Sequence, residues 1–181
     1  MIIVRKYVEK DIPTMTKVWN EIVREGNAFP QNKEFDEKEA QAFFNEQSYC
    51  AVAEVSEQIV GLYILHPNNV GHCGHISNAS FAVSKDYRGE GIGELLVSHC
   101  LYIAPKFGFK ILQFNAVLST NISAIRLYEK FGFERIGEVK NGYAFADGSF
   151  GDIVLFYKNL DEGSSACKNC QRDCKDCKEN K

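Results

Sequence analysis

The stretch that decides the fold is Phe81-Ala82-Val83-Ser84-Lys85-Asp86-Tyr87-Arg88-Gly89-Glu90-Gly91-Ile92-Gly93. An apolar strand end runs into a turn with alternate glycines, and a helical period begins near Gly91. Glycines let a backbone approach a ligand closely, successive N–H groups can converge on phosphate oxygens, and the helix N-terminus adds a favourable dipole. Arg88 supplies a positive charge. A tight strand-to-helix turn also needs glycine for steric reasons alone, so the bare pattern is a weak signal. Its context excludes two familiar phosphate turns. A dinucleotide fingerprint would follow the first strand of a βαβ unit and carry an acidic residue about twenty positions on, where Phe114-Asn115 stands instead. No Gly-Lys-Ser/Thr follows, which excludes a P-loop.

Working outward, His75 to Val83 reads as the strand before the turn, and Gly91 to about Phe107 as a helix with Ile92, Leu95, Leu96, His99 and Ile103 on one side. Lys110 to Val117 then completes a strand-helix-strand unit. Upstream, Ile2 to Val8 suits a strand. Asp11 is placed to cap a helix with Pro13 in its first turn and a stripe at Met15, Val18, Trp19 and Ile22, ended by Gly26. Asp36 and Glu39 form a capping-box pattern opening a helix to about Glu46. Tyr49 to Val55 and Ile59 to Leu65, separated by Ser56-Glu57-Gln58, read as a β-hairpin. Downstream, Asn121 to Phe131 is a short amphipathic helix, and Phe133 to Val139 and Asp152 to Leu160 read as strands joined by a Gly-rich hairpin. The fold class is α+β with a mixed sheet.

The 181 residues fit one domain, placed at 1–160, and the 45% apolar and 25% charged content is that of a folded globular chain. A formal charge of −3 argues against a broad nucleic-acid-binding face and suits an amine substrate. No apolar run reaches the about 18 residues of a membrane span, and Met1 to Lys6 has no signal-peptide pattern, so a cytoplasmic location is expected.

With these residues in view, the chain resembles the GCN5-related N-acetyltransferases (GNAT), which move an acetyl group from acetyl-coenzyme A to an amine. Phe81-Ala82-Val83 with Tyr87 to Gly93 is similar to the family's strand and pyrophosphate turn, and Asn121-Ile122-Ser123-Ala124 with Tyr128 to Phe133 to its second coenzyme-A motif. The resemblance implies the GNAT fold, a mostly antiparallel central sheet flanked by helices, in which a splayed pair of strands holds the pantetheine arm. It implies cofactor contacts from Phe81, Ala82, Val83, Arg88, Gly89, Glu90, Gly91, Ile92, Gly93, Asn115, Asn121 and Tyr128. A closer likeness is to yeast N-acetyltransferases that act on proline analogues such as azetidine-2-carboxylate, matched by Asn78, Asn115 and Asn121. Tyr128 departs from that subgroup, which carries tryptophan there.

Acyl transfer from a thioester needs a neutral amine, a donor for the developing oxyanion and a proton for the departing thiolate. The expected oxyanion donor is the Val83 N–H, with the Asn78 amide as a second. Tyr128 is the expected proton donor, its reference pKa of about 10 lying near that of a thiol at about 8.5. Core packing is the plainer reading of Tyr128, and an ordinary N-cap that of Asn121. No carboxylate stands out as a base. Water, a relay through His75, and more weakly Glu21 or Asp152 are the options. A covalent route through Cys73 or Cys100 lacks a paired histidine, which leaves direct transfer in a ternary complex. The expected acceptor is a small primary or secondary amine, in a pocket with His75 and Asn78, closed by Phe29 of the Phe29-Pro30 loop and by Tyr143 of the Tyr143/Phe145 hairpin. The alternatives are a protein or peptide N-acetyltransferase, or a non-catalytic module sensing acetyl-CoA or metal.

Gly163-Ser164-Ser165 marks a linker to a tail, 161–181, without large apolar residues. There Cys167-x2-Cys170-x3-Cys174-x2-Cys177 pairs two C-x-x-C units, a minimum for thiolate coordination, with zinc the first candidate. On a helix all four thiols would fall within an arc of about 80°, a face also able to meet a partner chain, which allows a homodimer. The plainer alternatives are a reduced disordered tail or adventitious disulfides. Cys50, Cys73 and Cys100 read as reduced packing residues.

Overall fold

The computed structural model describes residues 2–160. The Cys167, Cys170, Cys174 and Cys177 metal site and the other tail readings lie outside the described residues. In chain order the elements are β1 (Ile2–Lys6), α1 (Ile12–Glu25), α2 (Glu37–Asn45), β2 (Tyr49–Val55), β3 (Gln58–Pro67), β4 (Ile76–Val83), α3 (Ile92–Ile103), β5 (Ile111–Leu118), α4 (Ile122–Lys130), β6 (Glu134–Ala144) and β7 (Phe150–Asn159). The strands form one sheet in the order β1-β2-β3-β4-β5-β7-β6. Every pair is antiparallel except β4 with β5.

Helices cover both faces. Met15, Trp19 and Ile22 of α1 and Phe44 of α2 pack on Val52, Leu62, Ile64 and Ala82. On the other face Leu96, Val97 and Cys100 of α3 and Ile125 of α4 pack on Tyr63, Leu65, Leu112, Phe114 and Phe156. A strand covered on both sides is apolar at consecutive positions, which is why β2 and β3 read as continuous runs instead of alternating ones.

The local signals for α2 and the end of α1 hold. Glu39 N–H donates to Asp36 Oδ1 at 2.8 Å and Asp36 N–H to Glu39 Oε2 at 3.0 Å, a complete capping box. Gly26, at φ +63°, closes α1 with its N–H on the Ile22 and Val23 carbonyls. Asp11 behaves differently. It makes no side-chain cap to α1; its carboxylate accepts the Val8 N–H at 2.8 Å and pairs with Arg5 at 2.6 Å. A guanidinium bound to Arg5's own strand neighbour Glu54 holds that carboxylate more firmly than a helix N-terminus could.

The closing hairpin also differs from its sequence pattern. Its strands run on to Ala144 and from Phe150, so Lys140-Asn141-Gly142 is a wide bulge inside β6 and not the turn. Asn141 takes φ 55°, and Asp152 on β7 fills the bulge by accepting the Asn141 N–H and the Lys140 ammonium, each at 2.9 Å. A bulge swings the strand beyond it. Tyr143 is the residue it re-aims.

Candidate active site

The ladder between β4 and β5 consists of Ile76 opposite Ile111 and Ser77 opposite Leu112, after which the strands diverge. Ser84 N–H donates to Val60 O and Asn68 N–H to Ile76 O. Even-numbered residues of β4 therefore bond β3, and the odd ones, Ala79, Phe81 and Val83, turn N–H and C=O groups into the gap. β5 is bulged where it leaves the pairing, with Asn115 and Ala116 between Phe114 and Val117. The result is a cavity of about 640 Å³ whose walls are Asn78–Phe81 and Val83 of β4, Phe114–Leu118 of β5, and Asn121–Ala124, Leu127 and Tyr128 around α4. Arg88 and Gly93 line one end; Asn27 to Pro30, the loop after α1, line the other side.

At the turn, Gly89 has φ +84° and Gly91, the N-cap of α3, φ +80°. No heavy atom lies within 4 Å of a Cβ built on either, so backbone conformation demands glycine there while the space above it stays open. Gly93 is different: its Cβ position meets Leu127 at 3.4 Å, where α3 and α4 approach. Ala82 and Ile92 are buried with their side chains in the cores, so only their backbones can serve a ligand, and Glu90 projects to solvent.

Arg88 stands in the cavity wall already engaged. Its Nε donates to the gap-facing Val83 carbonyl at 3.2 Å, and Nη2 bridges both oxygens of Glu25, at 3.0 and 2.9 Å. Glu25 was hidden in the sequence among the acidic residues of α1's outer face; its position at the last turn of α1, against a cationic turn 63 residues on, was the only signal it offered.

Tyr128 lies against Phe114, ring centroids 4.2 Å apart, with Phe133 at 5.6, Phe156 at 5.9 and Phe81 at 6.5 Å, and its remaining edge opens on the cavity. Burial, with the Cys100 thiol nearby, pushes its phenol well above the ordinary value, so it stays protonated. Asn121 caps α4 by accepting the Ala124 N–H at 3.1 Å, which leaves its amide nitrogen for the cavity. Asn78 accepts the Ala79 N–H at 2.7 Å and lines the cavity too. Asn115 is drawn aside, with its amide bonded to Asn68 at 2.5 Å and to Gln113 at 2.9 Å.

Three expected site residues fall elsewhere. His75 is exposed, precedes β4 and does not line the cavity that Asn78 lines. Glu21 is spent on Ser84 Oγ and the Lys85 N–H, and Asp152 on the β6 bulge, so neither reaches the gap. Burial pushes the Cys50 thiol up to about 12 and raises Cys100 also, which makes both poor nucleophiles at neutral pH. Tyr143 does reach the loop side of the site: its hydroxyl donates to the Phe29 carbonyl at 2.8 Å, and Phe29 itself packs on Trp19 at 4.3 Å. Among the described residues no three His, Cys, Asp or Glu side chains gather as a metal site, and no helix is long and apolar enough to cross a membrane.

The split between β4 and β5, the glycine turn and the Tyr128 ring border one cavity. The chain belongs to the acetyltransferase (GNAT) family, whose model matches residues 15–133. It is 33% identical over 155 residues to the N-acetyltransferase aca1 of Schizosaccharomyces pombe, covering 75% of this chain and 73% of that one. Among solved structures it resembles a GCN5-related N-acetyltransferase from Kribbella flavida, with a TM-score of 0.81 and 27% identity over 88% of this chain and 98% of the other. A phosphinothricin acetyltransferase from Sinorhizobium meliloti, solved in complex with acetyl-CoA, shares the fold with a TM-score of 0.83 at 22% identity, over 91% of each chain. The protein is thus an N-acetyltransferase using acetyl-CoA.

Proposed function

We propose that the protein transfers an acetyl group from acetyl-CoA directly to a small primary or secondary amine in a ternary complex. The observation that carries the small-acceptor reading is the Tyr143–Phe29 hydrogen bond, which ties the β6–β7 hairpin to the loop after α1 over the acceptor side of the cavity. A polypeptide acceptor needs an open groove there.

The residues present fit the cosubstrate. The turn from Arg88 to Gly93 offers open glycines and the unpaired first N–H groups of α3 to a pyrophosphate. The edge of β4 offers Phe81 and Val83 amides to an extended pantetheine arm. The Val83 N–H takes the thioester oxygen, and the Phe81 N–H on the same strand edge serves the arm. The Asn78 amide nitrogen is the second donor. Tyr128 gives its proton to the departing sulfur, and Asn121 holds the sulfur end against α4. Among the described residues the one carboxylate lining the cavity, Glu25, is paired with Arg88, so water carries away the amine proton. We assign the work to the cytoplasm and to residues 1–160, and keep zinc at the four tail cysteines as a separate, appended site.

The test is thiol release from acetyl-CoA against amino acids, proline analogues, polyamines, aminoglycosides and short peptides. Small amines should turn over and a peptide of six residues should not. Tyr143→Phe, which removes the strap and keeps the ring, should raise KM for the small amine and admit bulkier ones. Peptide turnover by the unmodified protein equal to that of the best small amine would overturn the small-acceptor reading.

A further inference from the structure

Glu25 stands in the cavity wall beside a turn suited to a doubly charged anion, where a carboxylate is out of place. Arg88 is bonded to both of the Glu25 oxygens. The same guanidinium reaches back to the Val83 carbonyl. By the alternation of β4 that carbonyl faces the gap, so it is one of the groups an amide-bearing ligand arm would use. Arg88 therefore occupies two things a cofactor needs at once: its own positive charge, spent on Glu25, and a strand-edge acceptor, spent on its Nε. The pair is about half exposed on the arginine side, 44%, and a quarter exposed on the glutamate side, 25%, so a ligand can displace it.

We propose that Glu25 is an internal competitor for Arg88, a latch across the cofactor gap that the pyrophosphate and pantetheine arm of acetyl-CoA must open. This rests on the cofactor placement given above. When the latch opens, Arg88 turns from carboxylate to phosphate and the Val83 carbonyl is released to the arm. Glu25 is a positioning residue; it touches neither acetyl group nor amine.

The experiment is a double-mutant cycle on acetyl-CoA affinity by calorimetry, using Glu25→Gln, Arg88→Gln and both together. Glu25→Gln should bind acetyl-CoA about two- to fivefold more tightly, the scale of a part-exposed ion pair. Arg88→Gln should weaken binding about tenfold, as the loss of a charge-assisted bond to phosphate does. In the Arg88→Gln background the Glu25 change should tighten binding clearly less, because no guanidinium is left to release and only the repulsion between carboxylate and phosphate is relieved. Glu25→Asp, which retains the carboxylate, should stay near the unmodified affinity. Unchanged or weaker binding by Glu25→Gln overturns the latch, and so does equal tightening with and without Arg88, which would be plain charge repulsion. Gly91→Glu separates the two levels. If it leaves acetyl-CoA affinity intact in a folded protein, the cofactor placement falls and the latch with it; if it abolishes binding while the cycle is flat, the latch alone falls.

Discussion

Tyr128 illustrates how far one side chain could be read in advance and where structure had to finish the reading. The resemblance implies a place near the thioester, the structure puts the ring in the cavity wall among four aromatic rings, and burial keeps the phenol protonated through the physiological range. Tyr128→Phe should lower turnover about 10²-fold or more with acetyl-CoA affinity little changed, as single-turnover thiol release would show. A raised acid also fixes the pH dependence. The amine must lose its proton to react, so kcat/KM rises with pH, and because Tyr128 titrates above its reference value of about 10 the profile should show no falling limb below that pH. A descending limb between pH 8 and about 10 would remove Tyr128 from the acid role. Asn78 and Asn121, expected in the site from sequence, line the same cavity. Glu25 and the Tyr143 hydroxyl were not legible in sequence, since each finds its partner across a large sequence separation, 63 and 114 residues, that no local pattern encodes.

At the scale of elements, periodicity located the four α-helices and seven strands of the described residues, and what it missed were the irregularities. Three residues against one in β6 look like a turn in sequence because Asn and Gly favour both, and only the cross-strand carboxylate of Asp152 decides for a bulge. The β2–β3 connection is a tighter case. Ser56 and Glu57, at φ 48° and 66°, form a two-residue turn with both residues left-handed, a conformation that suits Asn-Gly and strains other side chains. Glu57 is exposed and bonds nothing among the described residues, so Glu57→Gly should stabilise the fold by about 1 kcal/mol, relieving the left-handed strain. Urea titration would read this as a higher midpoint at unchanged slope; a lower midpoint would mean the turn is not strained as described.

For the whole molecule, the last strand ends at Asn159, and Leu160 is buried with its N–H on the Lys110 carbonyl at 2.8 Å. A chain stopped after Leu160 should keep the acetyltransferase fold and most of its turnover and lose any bound zinc, read by thiol release and by elemental analysis of anaerobically purified protein. Metal retained by the shortened chain would contradict the tail assignment. The sheet itself has one weak seam. Residues up to Phe107 build β1 to β4 with α1, α2 and α3, residues from Lys110 build the rest, and the backbone ladder across the divide is two residue pairs long. Gly108, at φ +81° in the exposed link between the two sections, is a natural cut point. Fragments 1–108 and 109–160, expressed together, should reassemble through their shared apolar face into a split enzyme. Since acetyl-CoA would lie along the seam and bind the joined form alone, it should drive complementation by mass action, making the cosubstrate the adhesive between two separately made pieces.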